Sequence, residues 1–76
     1  MVKLSEMEMR VLKRAHEDMM KATDSDGINK VYRQLRTWNR WHSIGMQRDF
    51  SRDDSYNTIN DYLKLYRAEA REKLEV

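Results

Sequence analysis

The chain has 76 residues, of which 37% are charged and 39% hydrophobic, and its formal net charge is +2. This length allows one domain at most, the lack of cysteine excludes disulfides, and two histidines are too few for a structural zinc site. Two glycines and no proline exclude the turn-rich pattern of an all-β protein. The sequence predicts one all-α domain over residues 1–76: a three-helix bundle, or a helical hairpin with an extra N-terminal helix, and either form could be oligomeric.

The first predicted helix covers residues 5–22. Ser5 and Glu8 have the S-x-x-E spacing of a capping box, in which each residue satisfies the backbone N–H of the other. Apolar residues and one histidine cover well over half of its circumference: Leu4, Met7, Met9, Val11, Leu12, Ala15, His16, Met19, Met20 and Ala22. Such an arc indicates either the most central helix of the bundle or a helix with a second face free for a partner.

The second helix is predicted over residues 28–43, after a turn at Thr23–Gly27 in which Ser25 or Asp26 caps the helix. Gly45 is expected to end it in a left-handed conformation. The predicted core stripe repeats at a spacing of three and four residues and consists of Ile28, Val31, Leu35, Trp38 and His42.

The third helix is predicted over residues 53–74 and should begin between Ser51 and Ser55. It carries the same three-and-four spacing at Tyr56, Ile59, Leu63, Tyr66 and Ala70, with Tyr62 beside the stripe and Leu74 continuing it. Two such stripes are typical of a bundle or a short antiparallel coiled coil.

A basic arc lies opposite the predicted core stripe of the second helix. Between Gly27 and Arg48 there are five basic residues and no acidic one. The residues that could contact neighbouring phosphates together are Lys30, Arg33, Arg36 and Arg40. Trp41 borders this arc and could stack on an unpaired base. The alternative is a solvated face whose charges pair with Asp49, Asp53, Asp54 or acids of the third helix.

A second candidate surface combines flexible and aromatic side chains. Methionine suits adaptable contact surfaces, and tryptophan and arginine often dominate the energetics of protein interfaces. The predicted partner-binding residues are Met9, Met20, Tyr32, Arg36, Trp38 and Trp41.

The fragment Gly27–Leu35 resembles the recognition helix of helix-turn-helix domains, and Leu4–Leu12 resembles the opening helix of some of them. Compared with that motif, two or more residues are missing between Gly27 and Val31, and the short helix before the turn has no room. The predicted fold is therefore not taken from this resemblance.

Catalytic and metal-binding motifs are weak. There is no nucleophilic cysteine and no glycine-rich phosphate loop, and His42 is expected to be a packed histidine that donates to a carbonyl. The run Asp24–Gly27 begins like a calcium loop but lacks its later ligands. We therefore expect a non-enzymatic cytoplasmic protein without a metal, a cofactor or a membrane span. Its predicted function is protein–protein interaction or self-association, with nucleic-acid binding by the basic arc as the alternative.

Overall fold

A computed structural model of the chain describes residues 4–46 and 54–75, which form three helices: α1 (Glu6–Lys21), α2 (Ser25–Gly45) and α3 (Asp54–Glu75). Each helix packs against the other two, which confirms the prediction of a three-helix bundle. None of the helices described is long and apolar enough to cross a membrane.

The start of α1 follows from its capping box. The Ser5 hydroxyl accepts the Glu8 backbone N–H at 3.2 Å, and Oε1 of Glu8 accepts the Ser5 backbone N–H at 2.9 Å. Two of the N–H groups that a helix start leaves without a backbone partner are thereby satisfied. The predicted capping box is confirmed.

Both ends of α2 differ from the prediction. The N-cap is Asp24, whose carboxylate accepts the Gly27 N–H at 2.7 Å. Neither Ser25 nor Asp26 caps the helix, because both already belong to its first turn, where the carboxylate of Asp24 is favoured by the helix dipole. At the other end, Gly45 is the last helical residue, and the C-cap Met46 has a φ of −85°. The predicted left-handed glycine is therefore wrong.

The end of α1 leaves no room for a further helix before α2. Only three residues separate Lys21 from Ser25, and Gly27 lies inside α2 rather than in a turn. The helix-turn-helix resemblance therefore has no counterpart in the fold. The predicted start of the third helix falls partly outside the described residues, within which α3 begins at Asp54.

Eight apolar residues contributed by all three helices form the buried core: Leu12, Ala15, Met19, Ile28, Tyr32, Ile59, Leu63 and Ala70. The predicted stripe of α3 is buried at Ile59, Leu63 and Ala70, while Tyr66 is half-buried. Tyr62 and Leu74 are exposed. Burial of these side chains supplies most of the free energy that holds the helices together.

The core face of α2 is rotated relative to its predicted stripe. Ile28 is buried as expected, but Val31, Leu35, Trp38 and His42 are only half-buried. The other buried residues of α2 are Tyr32, Asn39 and Ser43. The reason is that α2 packs against two helices: His42 contacts α1, while Tyr32 and Asn39 contact α3. A face shared between two neighbours is centred between them rather than on the most apolar stripe.

The wide apolar arc of α1 is also only partly buried. Leu12, Ala15 and Met19 lie in the core, whereas Met7 is 52% exposed and Met9 is 59% exposed. Between those two methionines lies Glu8, which is buried. The expectation that Met7 belongs to the core side is therefore wrong, and a carboxylate takes that place.

Candidate functional site

The predicted basic arc lies on the outer surface of α2. Lys30, Arg33, Arg36 and Arg40 are all exposed. They are spaced three or four residues apart, so they form one row along the helix. Arg40 has a further interaction within the protein, while no ion pair joins Lys30, Arg33 or Arg36 to a described carboxylate.

The tertiary structure adds a second pair of arginines to this row. Helices α2 and α3 are antiparallel, because Asn39 contacts Asn60 whereas Tyr32 contacts Arg67. A cleft of about 320 Å³ opens between them, and its lining residues are Asn29, Tyr32, Arg33, Arg36, Arg67 and Arg71. Four of the six are arginines and none is acidic, so the cleft is a concentrated positive site.

The ring of Tyr32 supports two of the four arginines. The guanidinium carbon of Arg67 lies 4.1 Å from the ring centroid, and that of Arg36 lies 5.7 Å away. Cation–π contacts contribute about 0.5–1 kcal/mol at exposed sites and more where water is excluded. Tyr32 is only 4% exposed, so its position is set by core packing. It therefore holds one guanidinium from each helix at the wall of the cleft.

The electrostatics of the cleft favour an anion. Among the described residues, none of its four guanidinium groups forms an ion pair with a carboxylate. Four like charges around one cavity repel one another, and this repulsion weakens when a negative group enters. Guanidinium groups present paired N–H donors that match the oxygens of phosphate or carboxylate.

Arg67 and Arg71 were not predicted as site residues. A signal for them exists, since Lys64, Arg67 and Arg71 share a three-and-four spacing on α3. Sequence periodicity places them on one face of α3, but it does not say that this face borders Arg33 and Arg36. That juxtaposition depends on the register between α2 and α3.

The predicted partner-binding residues do not form one surface. Trp41 is 65% exposed and Met9 is exposed, whereas Met20 and Trp38 are half-buried against the core. Tyr32 is buried, so its prediction as part of an exposed rim is corrected. Trp38 stacks on His42, with ring centroids 4.8 Å apart. Two residues correspond to about 200° around a helix, so Arg36 and Trp38 point in opposite directions.

Exposed apolar side chains instead gather at one end of the bundle. Nε2 of His42 lies 3.3 Å from Oε2 of Glu8, which brings the start of α1 to the end of α2. Five of the eight large exposed apolar residues of the described chain lie within four residues of that contact: Met7, Met9, Trp41, Ile44 and Met46. This group is called the apolar end below.

Two separate sets of partly buried polar contacts join the helices beside this end. Glu8 is 2% exposed, and the His42 side chain is 13% exposed. His42 therefore contacts a carboxylate rather than the carbonyl that was predicted. On α2, Asn39 donates from Nδ2 to the carbonyl of Tyr56 and to Oδ1 of Asn60, both at 3.0 Å. These contacts position the helices, since all of them cross from one helix to another.

A second histidine, His16, lies at the contact between α1 and α3. Nε2 of His16 lies 2.9 Å from Oε2 of Glu69, and its ring stacks on Tyr66 at 4.3 Å. Burial raises the pKa of Tyr66 above its ordinary value of 10.0, and the nearby charges of Tyr62 and Glu69 act in the same direction. Among the described residues no group of three or more acidic or histidine side chains could hold a metal ion.

The fold and the site define a small all-α protein with an arginine-lined cleft between two antiparallel helices. Comparison of the chain with protein-family models, with curated proteins and with solved structures finds no match.

Proposed function

We propose that this protein is a non-enzymatic nucleic-acid-binding module that contacts phosphate groups through the arginine cleft and the basic row of α2. The observation that carries the proposal is the convergence of Arg33, Arg36, Arg67 and Arg71 on one cleft without an acidic neighbour in its lining. Phosphate contacts by arginine and lysine supply most of the affinity of sequence-independent nucleic-acid binding.

The length of the basic row suits a nucleic-acid strand. Lys30 and Arg40 are ten residues apart on α2, which corresponds to about 15 Å of helix axis. A strand carries one phosphate charge per about 3.4 Å, so about four phosphates lie along this distance. The row itself has four cations, so the strand and the row carry a similar number of charges over this distance.

Fluorescence anisotropy with labelled single-stranded and duplex oligonucleotides tests this proposal. Each phosphate contact lowers the log–log salt slope by about 0.7 on single strands and about 0.9 on duplex DNA. Arg36→Ala should weaken binding and make the slope shallower by about one contact. Lys13→Ala on α1 is the matched control, because it removes the same charge from an exposed residue outside the cleft. Equal effects of the two substitutions, or no sub-micromolar binding at physiological salt, would contradict the proposal.

Self-association through the apolar end is the second candidate. Methionine and tryptophan are enriched in protein interfaces, and the apolar end exposes Met7, Met9, Trp41 and Met46 by 52–65% each. A single small domain buries a limited share of its surface, so covering this group by a second copy would add stability. The same end could instead serve an adaptor or an inhibitor of a larger protein.

Light scattering at tens of micromolar distinguishes these states, because the monomer has a mass of 9.3 kDa. A dimer formed through the apolar end should revert to monomer in Trp41→Ser. Leu65→Ser is the control, since Leu65 is 51% exposed on α3 but lies away from this end. A monomeric wild-type protein would exclude self-association and leave the nucleic-acid proposal unaffected.

A further inference from the structure

The cleft concentrates charge beside the middle of the basic row, at Arg33 and Arg36. Arg33 and Arg36 are separated by about 4.5 Å along α2, and Arg67 and Arg71 by about 6 Å along α3. All four line the same cavity of about 320 Å³. In the antiparallel pair Arg67 is level with Tyr32 and Arg71 lies one turn beyond it, so the four backbone positions span about 12 Å of bundle axis. Helical side chains tilt toward the N-terminus of their own helix, so the two arginine pairs lean toward each other and place four positive charges around one cavity.

A phosphodiester chain does not match this clustering of charge around one cavity. Taken as a sphere, a cavity of about 320 Å³ is about 8 Å across, so a strand with one charge per about 3.4 Å places about two negative charges in it. Two of the four arginines would then remain without an anionic partner. A terminal phosphate differs, because it carries about −1.5 to −2 at neutral pH and offers three strong acceptor oxygens. Two or three linked phosphates bring still more charge and more acceptors into the same length.

The shape of the cleft agrees with a compact group. Its volume of about 320 Å³ lies at the small end of ligand sites, which range over about 300–1,000 Å³. Arginine forks from both helices face the same space, so one ligand can accept paired N–H donors from two sides. Tyr32 holds Arg36 and Arg67 in place before the ligand arrives, and this lowers the entropy lost on binding.

From charge, size and geometry together we infer that the arginine cleft is a binding site for an oligophosphate group, a linked di- or triphosphate. The group would belong either to the end of a nucleic-acid strand or to a free nucleotide. This inference rests on the proposed function, because it uses the same arginines. It adds that the cleft prefers a linked di- or triphosphate to the internal phosphodiesters of a strand. Lys30 and Arg40 do not line the cleft and lie on opposite sides of Arg33 and Arg36 along α2. A strand that follows a terminal group would contact the one that lies on its path.

The test compares two labelled oligonucleotides of identical sequence, one with a terminal triphosphate and one with a terminal hydroxyl, at equal ionic strength. We expect the triphosphate form to bind at least about tenfold more tightly, and we expect inorganic tripolyphosphate to displace it far better than orthophosphate. Arg71→Ala should remove most of the tenfold difference. Lys30→Ala should weaken both oligonucleotides by the same factor, because Lys30 contributes to the row but not to the cleft.

The outcomes separate this inference from the proposed function. Equal affinity for the two oligonucleotides, with both weakened by Arg36→Ala, would overturn the oligophosphate site and leave nucleic-acid binding in place. Binding of tripolyphosphate and of a free nucleoside triphosphate, without binding of either oligonucleotide, would support the site and overturn nucleic-acid binding. If none of these probes binds, both are refuted. Circular dichroism of each variant checks that the helices remain folded.

Discussion

Replacing Glu8 by alanine tests whether a buried carboxylate holds two helices together. One oxygen of Glu8 accepts the Ser5 backbone N–H at 2.9 Å, and the other lies 3.3 Å from Nε2 of His42. The first contact caps α1, and the second joins α1 to α2. Because Glu8 is only 2% exposed, water replaces these two contacts only in part when the carboxylate is removed.

The magnitude follows from these two contacts. A hydrogen bond to a charged group contributes about 1.5–3 kcal/mol. The lower value applies to each here, because Ser5 is exposed at the helix terminus and the His42 side chain is 13% exposed, so both can be partly rehydrated. Glu8→Ala should therefore cost about 3 kcal/mol. In a domain of this size, each kcal/mol lowers the melting temperature by about 4–8 °C.

Glu6→Ala is the matched control on the same helix turn. Glu6 forms an ion pair with Arg10 at 2.8 Å, but the side chains are 82% and 77% exposed. Such an exposed pair contributes about 0.3–0.5 kcal/mol. Both glutamates lie in the first turn of α1, so the loss of their favourable interaction with the helix dipole is similar in the two variants and cancels in the comparison.

Thermal unfolding followed by far-ultraviolet circular dichroism measures both variants. The expected difference in melting temperature is at least about 10 °C, with Glu8→Ala the less stable. Glu8→Gln should fall between wild type and Glu8→Ala, because the amide oxygen can still accept the Ser5 N–H. Equal melting temperatures for Glu8→Ala and Glu6→Ala would refute the reasoning, since they would mean that the buried carboxylate contributes no more than an exposed one.

Further predictions concern the core and the pH dependence of stability. Leu63→Ala should cost about 2–4 kcal/mol because Leu63 is fully buried, whereas exposed Lys64→Ala should cost less than about 0.5 kcal/mol, as measured by urea unfolding. Asn39→Ala should cost about 1–3 kcal/mol by the same measurement, because it removes two partly buried hydrogen bonds from α2 to the Tyr56 carbonyl and Oδ1 of Asn60. The folded state raises the pKa of Tyr66, so neutral Tyr66 is favoured and stability should fall as pH rises above about 10. In Tyr66→Phe this alkaline loss should be smaller, and an identical loss would contradict the assignment.

The helices themselves could be predicted from the sequence because their causes are local. The capping box of Ser5 and Glu8 involves residues three apart, and the spacing of Ile59 and Leu63 places both on one face of α3 whatever that face contacts. The exposure of Arg33 on α2 has the same origin, because it lies opposite the apolar residues of its own helix.

Which residues of a face are buried, and which faces meet, was decided only by tertiary packing. Helical periodicity sets the directions of side chains around one helix axis, but it does not set how that helix is rotated against its two neighbours. For this reason Tyr32 lies in the core rather than on the predicted rim, and Glu8 is buried. The contact of Glu8 with His42 spans 34 positions of the chain. Arg67 likewise reaches Arg36 only through the register of α3 on α2. Packing of the whole bundle sets that register, because the side chains that interlock there come from segments far apart in the sequence.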